Sequence, residues 1–183
     1  MTWDGGLLDG VFIHNNTFFW NPPVEGPPAK MTETEFGGSR SNSVINNVIY
    51  STVPSMIHSG AGIKFQHNLY WYPGDSLPKW SYGGREHVGL TSYRAAAKDE
   101  LFIEPKLDWL LRPLAGSQAI GRGLRVPDPG SQDAFGAPLL PGKPPDIGAI
   151  HWPTSVAEAT RNRSPGVSSV TFRAQSPNLR FAP

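Results

Sequence analysis

One short segment occurs three times in the first half of the chain, and it constrains the fold more than any other feature. The copies are Phe12-Ile13-His14-Asn15-Asn16-Thr17-Phe18-Phe19, Ser43-Val44-Ile45-Asn46-Asn47-Val48-Ile49-Tyr50 and Lys64-Phe65-Gln66-His67-Asn68-Leu69-Tyr70-Trp71. Aligned on Asn16, Asn47 and Asn68, apolar residues fall three positions before (Ile13, Val44, Phe65) and two positions after (Phe18, Ile49, Tyr70). Alternation on each side predicts two short strands. The asparagine, which tolerates left-handed backbone angles, predicts the tight corner between them. A strand, a corner and a strand make part of one coil of a solenoid.

The copies lie 31 and then 21 residues apart. The shorter spacing predicts one coil of a parallel β-helix, the longer one a coil with an insertion. The insertion is expected at Asn21-Pro22-Pro23-Val24-Glu25-Gly26-Pro27-Pro28-Ala29-Lys30, whose prolines interrupt any ladder of backbone donors. Stacking would superpose Asn16, Asn47 and Asn68, whose amides donate to and accept from the neighbouring coil in an asparagine ladder. Their expected role is structural.

Composition agrees with this. Gly 20 and Pro 19 in 183 residues leave little room for long helices, which excludes long-helical, coiled-coil and collagen-like classes. Sixteen Lys+Arg against 15 Asp+Glu give a net charge of +1, so nothing electrostatic points to a nucleic-acid or acidic-membrane partner. Aromatic residues at 11% suit a β-rich protein or a carbohydrate-facing surface. The absence of cysteine removes disulfide scaffolds, thiolate metal sites and cysteine nucleophiles. No stretch approaches the roughly 18 apolar residues of a membrane helix, so membrane insertion is not expected. The start, Met1-Thr2-Trp3-Asp4-Gly5-Gly6, lacks the basic and apolar regions of a signal peptide.

Three regions follow: 1–75 as parallel β-helix coils, 76–152 as the last coils and a C-terminal cap, and 153–183 as a polar, aperiodic tail expected to be disordered. Within the second, Tyr72 to Gly84 reads as loop-rich. Thr91 to Glu100 reads as a short helix capped by Thr91 or Ser92, and Leu101 to Pro105 as an extended strand.

The repeated Asn-Asn-Val-Ile-Tyr type segment and three downstream elements resemble the C-terminal part of right-handed parallel β-helix proteins of the pectate-lyase-like superfamily. Those elements are Leu101-Phe102-Ile103-Glu104-Pro105, then Leu111-Arg112-Pro113-Leu114-Ala115-Gly116-Ser117-Gln118-Ala119-Ile120-Gly121-Arg122-Gly123, then Asp146-Ile147-Gly148-Ala149-Ile150. The resemblance covers roughly residues 9 to 151. It implies an all-β, right-handed parallel β-helix with few coils and a loop-rich cap. On physical grounds Asp128, Asp133 and Asp146 are expected to tie down loops of that cap through backbone amides. The resemblance also implies a secreted or cell-surface setting. Family members carry many coils before the point where this chain begins, so the chain reads as a C-terminal fragment. Its open end is expected to expose strand edges and to favour self-association or continuation into a longer protein.

Strand alternation turns the column three after each ladder asparagine outward, so Phe19, Tyr50 and Trp71 should form a row of rings, extended by Trp20 and Tyr72, on which sugar rings can stack. A lyase acting on an acidic polysaccharide needs a base and a positive charge or Ca²⁺ beside the carboxylate. Lys64, His67, Arg85 and His87 are the candidates, with the Gly83-Gly84 hinge expected to bring Arg85 and His87 back over the third coil. A hydrolase needs two converging carboxylates, for which Asp75 and Glu86, flanking the same loop-rich stretch, are the candidates. Spacing of His14, His58, His67, His87 and His151 gives no zinc site, and no dense calcium loop occurs, so no cofactor is certain and Ca²⁺ is the one the lyase reading would use. The resemblance thus implies a polysaccharide partner for part of a lyase or hydrolase. A non-catalytic structural or adhesion module, or a fragment without independent activity, is the competing reading.

Overall fold

The computed structural model describes residues 10–21, 29–31, 41–60, 62–99, 101–102 and 104–152, and the element counts below refer to these. They all belong to one unit, Met1–Trp152. The tail expected to be disordered lies outside the described residues.

The chain is mostly β, with eleven strands and one helix. In chain order they are β1 Phe12–His14, β2 Thr17–Trp20, β3 Ala29–Met31, β4 Asn42–Ile45, β5 Val48–Ser51, β6 Ser55–Ser59, β7 Ile63–Gln66, β8 Leu69–Trp71, β9 Lys79–Tyr82, β10 Arg85–Val88, α1 Leu90–Ala97 and β11 Leu101–Phe102. Apart from β9 and β10, consecutive strands go to different sheets. β1, β4 and β7 form one sheet, β2, β5, β8 and β11 a second, and β3, β6, β9 and β10 a third. All pairings are parallel except the β9–β10 hairpin. The repeat sets the register: Ile13 pairs with Val44 and Val44 with Phe65, while Phe18 pairs with Ile49 and Ile49 with Tyr70.

Those inward residues meet in one core drawn from all three sheets: Val44 and Phe65 from the first, Ile49 and Tyr70 from the second, Met56, Ile57 and Trp80 from the third. Tyr93 of α1 joins it, its ring stacked on Trp80 at 4.9 Å. α1 packs on β9 and β10. It starts after Gly89 with no side-chain cap, so neither Thr91 nor Ser92 caps it, and it ends at Lys98 in the left-handed conformation.

Several sequence expectations shift. The left-handed corner residue is the one before each ladder asparagine: Asn15 (φ 51), Asn46 (φ 57) and His67 (φ 51). The ladder asparagine itself turns inward instead, because its amide must reach the next strand. Ala29 and Lys30, expected in the looped-out insertion, belong to β3; residues 22–28 lie outside the described part. The stretch Tyr72 to Gly84, read as loop, contains β9. Gly83 (φ 60) and Gly84 (φ 73) are a two-residue hairpin turn rather than a hinge, with Tyr82 paired to Arg85. The third sheet escaped the sequence reading because β6 buries two successive apolar residues, Met56 and Ile57, at a register shift, which erases the alternation.

Candidate functional site

Two asparagine columns and one loop build the site. Asn16, Asn47 and Asn68 form the inner column. Asn47 Oδ1 accepts from the Asn16 backbone N–H (2.9 Å) and Nδ2 (3.1 Å), and Asn68 Oδ1 accepts from the same two groups of Asn47 (3.0 Å each). Asn47 Nδ2 also donates to the carbonyls of Ile13 and Ile45, so the fully buried amide is satisfied. The next step is a carboxylate. Asp99 accepts the Asn68 N–H (3.2 Å) through Oδ1 and Asn68 Nδ2 (2.8 Å) through Oδ2.

The outer column, Asn15, Asn46 and His67, points the other way and holds the segment 104–152. Asn15 Nδ2 donates to the Asp146 carbonyl, and the Asn46 amide both accepts from Leu124 N–H (2.8 Å) and donates to Leu124 C=O (2.7 Å), copying a strand pairing. His67 Nδ1 lies 2.9 Å from the Arg122 carbonyl. Asp146 and Asp133 accept backbone amides, as expected of loop ties. Held this way, the segment covers the first part of the outer face of β2, β5 and β8, where Val48 and Leu69 pack under Ala119 and Ile147.

The rest of that face stays open. There Phe19, Tyr50 and Trp71, neighbours in register, line one side of a cleft of ≈ 370 Å³, and the segment Glu104–Leu111 lines the other. The predicted aromatic row is therefore in place, with Phe19 and Tyr50 stacked at 5.3 Å and 19°. Trp20 and Tyr72 do not line the cleft. Trp20 pairs with buried Ser51 and has the inward parity of Phe18, and Tyr72 packs against the core with its hydroxyl on Ser76 Oγ at 2.9 Å.

Sequence reasoning missed the second side, which brings Glu104, Lys106, Asp108 and Trp109 to the rings. Lone residues in an aperiodic loop carry no pattern that could have marked them. Burial pushes the Asp108 carboxyl up, but hydrogen bonds from the Arg112 side chain and from the Arg112 and Leu110 amides outweigh it and hold it below the ordinary carboxylate value.

The proposed bases are not gathered at this cleft. Lys64 is exposed on β7 in the first sheet, His67 is engaged at the corner, and Arg85 and His87 are held by the hairpin at the edge of the third sheet, with His87 Nδ1 3.2 Å from Ser92 Oγ. Arg85 and His87 thus do not fold back over the third copy of the repeat. Asp75 and Glu86, the hydrolase pair, also lie outside the cleft lining. Among the described residues, no three His, Asp or Glu side chains come together as a metal site, and no helix is long and apolar enough to cross a membrane. Comparison with protein-family models, with curated proteins and with solved structures finds no match.

Proposed function

We propose that this chain is a polysaccharide-binding segment of a right-handed parallel β-helix, working within a secreted or cell-surface carbohydrate-active protein. Rotation of the chain among three sheets, with parallel neighbours at 21- and 31-residue spacing, supports the β-helix reading. One observation carries the binding reading. An open cleft has aromatic residues on one side and polar and charged groups on the other, which suits a ligand with apolar faces and a hydroxyl rim.

Binding is the part of this reading that the cleft supports directly. Lys64, His67, Arg85 and His87 sit on separate sheets or are engaged elsewhere, so none is placed to take a proton from a ligand in the cleft.

Affinity electrophoresis through gels containing a panel of polysaccharides tests this. Retardation by at least one polymer is expected, reduced by Trp71→Ala and unchanged by Lys64→Ala. A folded protein that no polymer retards would overturn the binding reading. Unsaturated products or new reducing ends, with or without Ca²⁺, would replace it with an enzyme.

A further inference from the structure

Phe19 and Tyr50 turn their ring faces toward each other, 5.3 Å apart and 19° from parallel. Their contact offers a ligand edges more than faces, which leaves Trp71 and the opposite side of the cleft to supply a stacking face. Trp109, also in the cleft lining, is 85% exposed. A ring that large is ordinarily buried, and leaving it in water forgoes the gain of burying its apolar surface.

The turn that carries it is braced. Asp108 N–H donates to the Arg112 carbonyl and Leu111 N–H to the Asp108 carbonyl, both at 2.9 Å. Asp108 Oδ1 accepts the amides of Leu110 (2.9 Å) and Arg112 (3.0 Å), while Oδ2 takes Arg112 Nε (2.7 Å) and Nη2 (2.6 Å). Leu111 holds a left-handed backbone (φ 61), and a Leu107–Pro113 bridge closes the base. Such a turn presents an aromatic ring at low entropic cost to binding.

The charges around the cleft decide which polymer. The Asp108 carboxylate is neutralised by Arg112, leaving exposed Glu104 and Lys106 to cancel each other. A uronate polymer would gain no net attraction there and would lose hydration of its carboxylates. An uncharged one brings C–H faces for the indole and hydroxyls for Glu104 and Lys106.

We propose that Trp109 is the stacking anchor of the cleft and that its ligand is an uncharged polysaccharide. This rests on the polysaccharide reading above. Isothermal titration of the full chain with soluble mannan, mixed-linkage glucan and xyloglucan, and with polygalacturonate and alginate, tests it. An uncharged polymer should bind with little dependence on salt. Trp109→Ala should weaken that binding about tenfold or more, and Trp109→Phe should restore part of it. The exposed position predicts an unchanged unfolding midpoint in both variants.

If Trp109→Ala bound as tightly as the parent while Trp71→Ala did not, the anchor assignment would be overturned and the polysaccharide reading would stand. Binding confined to the two uronate polymers and lost with salt would overturn the uncharged class. A folded parent that bound none of the five would overturn the polysaccharide reading for this panel, and the anchor with it.

Discussion

The Asp99 carboxylate accepts the Tyr70 hydroxyl at 2.8 Å through Oδ2, the oxygen that also takes Asn68 Nδ2. The polar ladder and the aromatic core therefore share one buried acceptor. An asparagine ladder needs each residue both to accept and to donate; a carboxylate only accepts, so Asp99 ends the run and frees capacity for Tyr70. Tyr70 in turn lies 3.0 Å from the Tyr93 hydroxyl of α1.

Replacing that acceptor should be severe. Asp99→Ala leaves the Asn68 N–H and one Asn68 Nδ2 hydrogen without an acceptor and the Tyr70 hydroxyl with Tyr93 alone, and each unsatisfied buried donor costs about 1–3 kcal/mol. A loss of about 3 kcal/mol or more is expected from urea unfolding, with a smaller loss for Asp99→Asn, whose amide keeps one acceptor oxygen. Equal losses in both variants would show that the charge, not the acceptor count, matters.

Alkaline pH probes the same group. Burial first, then the Asp99 charge, raises the Tyr70 hydroxyl well above its ordinary value, and the same two causes raise Tyr93. Both are protonated in the folded state while an unfolded tyrosine ionises near pH 10. Above about pH 10 the unfolded chain thus binds fewer protons than the folded one, so stability is fully present below that pH and falls as pH rises. Tyrosinate absorbance of these two rings should appear only together with loss of near-ultraviolet circular dichroism; their ionisation in a folded chain would contradict it.

Asn46 tests how the segment 104–152 is held. Asn46→Gly keeps the left-handed backbone without strain and deletes the side-chain pairing to Leu124, whereas Asn46→Ala adds about 1 kcal/mol of backbone strain. Hydrogen exchange at the Leu124 amide should quicken about tenfold or more in both variants while amides of β5 change little. Uniform acceleration throughout would mean that the segment and the sheets open together.

Gly148 packs closely on β2 and β5. With φ 103, a Cβ there would lie 2.9 Å from Thr17 Oγ1 and 3.0 Å from Val48 Cγ2. Gly148→Ala is expected to destabilise by about 2 kcal/mol, and by less in a Val48→Ala background, where part of the clash is gone. Additive effects in thermal or urea unfolding would show that the crowding at Val48 is not what excludes the side chain.

The repeat alone determined the pairing of β1, β4 and β7 and of β2, β5 and β8, their register and the outward row Phe19, Tyr50 and Trp71, because alternation and stacking are local rules applied three times. It also held an unread signal: Asp99 follows Asn68 by 31 residues, the spacing between Asn16 and Asn47. A hairpin and a helix fill that interval and the side chain changes to Asp, so the residue does not look like a fourth copy. Tertiary structure decided the rest. Which asparagine turns inward depends on where the next strand's acceptor lies. His67 meets Arg122 only because the outer column holds 104–152 in place. Trp109 shares a cleft with Phe19, Tyr50 and Trp71, residues far from it in sequence, and no periodicity records such a meeting.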